Sequence, residues 1–156
     1  MKYKIICILA ILLCSMSMAA ATTATYTSDG KIKLFNDKGS WDGYILEPGL
    51  KDIAVYKGAY LYAATPSGIK VYDIRVAKTP IYKKTIAPYS NCMEINGIYL
   101  YSGGKNLIIY SLGNPAAPRY VNKIILISPA QSMEIYNNIL YIGTMYNGVY
   151  KFKVAP

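Results

Sequence analysis

The sequence predicts an all-β protein: a four-bladed or partial β-propeller, built from four-stranded antiparallel units after a cleaved helical signal peptide. Three observations predict it. Short strands rich in Ile, Val, Leu and Tyr recur in groups with a period of about forty residues. Twelve glycines and eight prolines, many between those strands, mark a chain of turns. Beyond the first 21 residues no segment holds apolar side chains at sustained helical spacing. At 156 residues and 53% hydrophobic letters, the chain is long enough for one modest domain with a packed core.

The first element reads as an export leader. Lys2 and Lys4 form a positive n-region, residues 5–14 are an unbroken apolar run, and Ala19 and Ala21 fit cleavage after Ala21. A run of ten apolar residues is too short to cross about 30 Å of hydrocarbon as a helix. Bulky Leu13 before Cys14 argues against a lipoprotein anchor. Cleavage removes Cys7 and Cys14, leaving Cys92 as the one thiol, with no internal disulfide and burial as its expected fate. The mature chain then carries fifteen basic against eight acidic residues, a net +7, with no later stretch of transmembrane length. The expected localisation is exported: periplasmic, cell-surface or secreted.

Residues 22–156 divide into units of about 22–51, 52–90, 91–131 and 132–156. Met93-Glu94-Ile95 returns as Met133-Glu134-Ile135, and Tyr99-Leu100-Tyr101 answers to Ile139-Leu140-Tyr141 at the same offset. One unit earlier stands Tyr60-Leu61-Tyr62. In the second unit the strands fall at 53–56, 60–64, 69–74 and 81–86. In the third they fall at 93–95, 98–102, 107–112 and 120–126. The first and fourth units each show about three. The first lacks an evident inner strand, and the fourth stops before an outer one. Asn147-Gly148 is a hairpin signal, because both residues tolerate positive φ. Four units suffice for a tight four-bladed ring; the alternative is an open arc that associates through its ends.

Gly68-Ile69-Lys70-Val71-Tyr72-Asp73-Ile74 followed by Pro80 resembles the LVIVD repeat, a glycine-led strand ending in aspartate before a proline turn. Asn114-Pro115-Ala116-Ala117-Pro118 is similar to that family's turn, and Gly148-Val149-Tyr150-Lys151-Phe152-Lys153-Val154 is a further copy of the strand. Only Asp73 keeps the aspartate; Asn36, Ser111 and Lys153 hold its place elsewhere. The resemblance implies propeller-like blades in an exported bacterial protein and assigns no single activity.

Composition narrows the chemistry. With no histidine, Ser-His-Asp and Cys-His catalysis, His-ligated zinc and imidazole switching are excluded. Glu94 and Glu134 occupy equivalent places in the first strands of adjacent units, where axial carboxylates can meet around a pore. Duplication of one solvated or lysine-paired glutamate explains them equally, and the second unit has Ala54 or Val55 there. Asp37, Ser40 and Asp42 lack the order and closing glutamate of a calcium loop, so no metal site is assigned. Trp41 reads either as an exposed ligand platform or as a core residue of the outer strand. Paired tyrosines two apart, such as Tyr60 with Tyr62 and Tyr99 with Tyr101, point to packing between blades.

The function these observations favour is a non-enzymatic binding or interaction scaffold for protein or glycan at the cell envelope. Glu94, Glu134 and Trp41 are its candidate ligand-binding residues, with no catalytic residue and no cofactor assigned. Dispersed charge and export argue against nucleic acid as a partner. Two alternatives stand beside this reading. One is a propeller hydrolase or lyase using Glu94, Glu134 and Asp73; the other is a truncated structural relative of a longer LVIVD-repeat protein.

Overall fold

The computed structural model describes residues 22–154, and the expected leader lies outside them. The described chain is fourteen strands: β1 (Thr23–Tyr26), β2 (Lys31–Phe35), β3 (Trp41–Leu46), β4 (Asp52–Tyr56), β5 (Tyr60–Thr65), β6 (Gly68–Asp73), β7 (Ile81–Ile86), β8 (Cys92–Asn96), β9 (Tyr99–Gly103), β10 (Asn106–Ser111), β11 (Arg119–Ile125), β12 (Ala130–Tyr136), β13 (Ile139–Thr144) and β14 (Val149–Lys153). They form four antiparallel meanders, β1-β2-β3, β4-β5-β6-β7, β8-β9-β10-β11 and β12-β13-β14. The strand count in each sheet is the one the repeat predicts.

Local chemistry sets the turns. Gly30 sits at φ +85°, and a Cβ there would run into the Glu47 carbonyl, so the hairpin between β1 and β2 requires glycine. Thr27 and Thr144 each bind a strand-opening carbonyl, of Lys31 and Gly148 respectively, through both N–H and hydroxyl. This matching pair of caps aligns β2 with β14.

A β-bulge falls at one place in three sheets: between Leu34 and Phe35, Val71 and Tyr72, and Ile109 and Tyr110. Its recurrence makes β2, β6 and β10 equivalent, and β3, β7 and β11 equivalent. Among the described residues, the first sheet therefore has no counterpart of the inner strands β4 and β8. Among the described residues, the fourth has no counterpart of the outer strands β7 and β11.

Strand alternation places one side of each sheet against the next sheet. Ile32, Leu34 and Ile45 meet Leu61, Ala63 and Tyr72 between the first two sheets. Tyr62, Ile69 and Val71 meet Met93, Leu100 and Tyr110 between the second and third. Tyr101 and Leu107 meet Met133, Leu140 and Ile142 between the third and fourth. At about 25 cal/mol per Å² of buried apolar area, these layers are the main stabilising contribution. Among the described residues no buried cluster joins the fourth sheet to the first. The expectation of a closed four-unit ring gives way to an open arc, because the end sheets keep apolar side chains uncovered.

Candidate binding surfaces

Polar side chains cross each of the three layers. Glu47, only 3% exposed at the end of β3, accepts from Lys70 Nζ at 2.6 Å and from the Tyr72 hydroxyl. Burial and the neighbouring Glu47 carboxylate raise the Tyr72 phenol far above its usual range. Asp52, at the head of β4, accepts the Met93 N–H at 2.8 Å, which ties the inner strand of the second sheet to that of the third. On the first-sheet side, burial pushes the Tyr26 phenol up to about 12, with Asp52 adding to the shift. The Tyr62 hydroxyl donates to the Pro115 carbonyl at 2.9 Å, and the Asn91 amide to the Ala130 carbonyl at 2.9 Å. Tyr62 and Tyr101 are buried in the layers, as the tyrosine spacing predicts.

Glu94 and Glu134 keep equivalent registers, opposite Tyr101 and Tyr141. Met93 and Ile95 pack toward the second sheet, so Glu94 lies on the side facing the fourth, where it is half-buried. Met133 and Ile135 pack toward the third sheet, so exposed Glu134 lies on the far side of the fourth. A whole sheet stands between the two positions. No group of three His, Cys, Asp or Glu side chains able to hold a metal occurs among the described residues. Asp73, the third carboxylate of the alternative reading, binds Arg75 through Nη2 at 2.6 Å and Nε at 2.9 Å, with Lys83 at 3.4 Å. The Arg75 hydrogen bonds hold its carboxyl down at about 2.

Trp41 is on the surface. It opens β3, pairs with Phe35, is 61% exposed and donates its indole N–H to the Gly43 carbonyl at 3.0 Å. On the same uncovered side of the first sheet are Tyr44, Leu46 at 61% exposure, Lys31 and Lys33. Lys31 Nζ stands 5.1 Å from the Tyr44 ring centre. The far side of the fourth sheet repeats this chemistry. Tyr136 is 63% exposed and Val149 60%, and Lys151 Nζ stands 5.5 Å from the Tyr141 ring centre. Both ends of the arc are thus aromatic, apolar and basic.

A third feature is a cleft of about 350 Å³ between the third and fourth sheets. Its walls include Val121 and Ile124 of β11 and Leu140 and Phe152 of the fourth sheet. It opens beside β14, on the side where the second and third sheets carry a further strand. The cleft depends on how two sheets diverge and has no sequence signal of its own.

The described residues match a computationally designed protein, Ika4, at a TM-score of 0.63 and 11% identity, covering 92% of this chain and 96% of that one. They match the WD40 β-propeller domain of Doa1 at 0.61 and 20% identity, covering 88% of this chain and 47% of that one. Sqt1 of Saccharomyces cerevisiae matches at 0.63 and 14%, covering 83% and 41%. The four sheets are propeller blades. The chain spans less than half the length of the Doa1 domain and of Sqt1. No protein family matches the chain, and no curated protein does.

Proposed function

We propose that this chain is an exported, non-enzymatic propeller-like scaffold that binds protein or glycan at the cell envelope. The observation that carries the proposal is the pair of uncovered end blades, each presenting aromatic rings beside lysines. Aromatic faces stack on sugars and anchor protein partners, and lysines draw in anionic polymers. The LVIVD-repeat resemblance, the leader and the absence of histidine all favour the same reading. The separation of Glu94 from Glu134 across a blade weighs against a shared acid/base pair. The same uncovered ends favour self-association.

The test is saturable binding of the mature chain to envelope polysaccharide and to envelope protein fractions. Trp41→Ala is expected to weaken it at least severalfold, while E94Q/E134Q leaves it intact. Bond cleavage in the polysaccharide that E94Q/E134Q abolishes would replace this reading with the hydrolase or lyase one.

A further inference from the structure

We infer that the fourth blade is completed by an extended segment of a protein partner, bound as a fourth strand along β14. An aromatic side chain of that segment enters the adjoining cleft, and carboxylates meet Lys151 and Lys153. The inference deepens the scaffold reading by naming the chemistry of one partner.

Backbone pattern comes first. Val154 N–H bonds to the Asn138 carbonyl and Thr144 N–H to the Gly148 carbonyl. Antiparallel alternation then turns Tyr150 and Phe152 toward β13, and turns the N–H and C=O groups of Val149, Lys151 and Lys153 outward. In blades two and three the equivalent groups of β6 and β10 are taken up by β7 and β11. Among the described residues β14 pairs on one side only.

The completed blades show what such a strand carries. Tyr82 of β7 lies opposite Tyr72, their ring centres 5.7 Å apart, and Tyr120 of β11 lies opposite Tyr110. An aromatic residue is thus used twice at the place facing Phe152, which lines the cleft. Next to Tyr82, Lys83 reaches Asp73, and Lys84 lies opposite Val71. In the fourth blade Lys153 stands at the Asp73 position and Lys151 at the Val71 position. The charge at this edge is reversed, so a complementary strand is acidic where β7 is basic. Edge lysines repel basic strands and leave acidic ones favoured.

The probe is a fluorescent peptide with the sequence of residues 79–87 carrying K83E and K84E, titrated against the full chain and read by anisotropy. The acidic peptide is expected to bind saturably, and the unaltered 79–87 peptide about fivefold more weakly. K151E/K153E inverts that order. Lys151→Pro, which removes an outward N–H and no bond to β13, abolishes both. Absence of saturable binding overturns the inference, as does binding that neither variant changes. The charge-reversed chain keeps the test decisive where the proline variant does not fold. Peptide failure with envelope binding retained removes this inference alone; loss of envelope binding with peptide binding retained removes only the broader reading.

Discussion

A carboxylate buried between two donors is stabilising only while both sides of the arrangement exist. Glu47 is such a group, and Glu47→Leu leaves the Lys70 ammonium and the Tyr72 hydroxyl facing an apolar side chain. With Lys70 partly open to water, the expected loss is about 2 kcal/mol, and about half that for Glu47→Gln, which still accepts. Urea denaturation of the two variants measures both, and equal stability of Glu47→Leu and the parent would remove this role. Asp73 gives a prediction in pH. Its folded-state pKa lies below its unfolded value, so its contribution is complete above pH 4 and fades as pH falls toward about 2. Asp73→Asn is therefore expected to lower the melting temperature at pH 6 and to match the parent near pH 2. A difference that persists at pH 2 would point to packing instead of charge. The partners of Glu47 are not legible in sequence, since they depend on which strand of the next sheet lies opposite, whereas Arg75 stands only two residues beyond Asp73.

Strand number and order were legible because the repeat makes each unit a control on the others. The expected strands at 53–56, 60–64 and 81–86 agree with β4, β5 and β7 to within a residue at each end. The repeat left Trp41 open between an exposed platform and a core residue, and its 61% exposure selects the first; closure depends on curvature between sheets, which the repeat does not encode. Gly103 shows how closely two blades approach. A Cβ there would crowd the side chains of Met133, Ala130 and Cys92. Gly103→Val is predicted to destabilise the third and fourth blades by about 1–3 kcal/mol, as overpacked cores do. Cys92, now buried, reports on it directly. Its reaction with a thiol reagent is expected to be slow in the parent and at least tenfold faster in the variant. Unchanged thiol reactivity would mean that the blades part elsewhere. Tyr62→Phe, which leaves the Pro115 carbonyl without its donor, is a milder element-level change expected to cost about 1 kcal/mol.

At the scale of the whole molecule, the two uncovered end blades bear on assembly. A second copy would supply four more blades and cover both uncovered ends at once, the last blade of each chain against the first blade of the other. Such contacts bury Trp41, Tyr44 and Leu46 against Tyr136 and Val149, and apolar burial drives them. They also bring Lys31 and Lys33 toward Lys151 and Lys153, which repel. Salt screens that repulsion and leaves the apolar contribution in place. The mature chain is therefore predicted to form a dimer at micromolar concentration whose dissociation constant falls as salt is raised from 0.05 to about 0.5 M. Binding of an anionic polymer to the same lysines would weaken over that range, so the sign of the salt effect separates the two. Light scattering at both salt concentrations, repeated with L46D to charge one end, decides the matter. A chain that stays monomeric under all conditions would show that the ends serve other partners. A dimer that L46D leaves intact would place the contact elsewhere on the molecule.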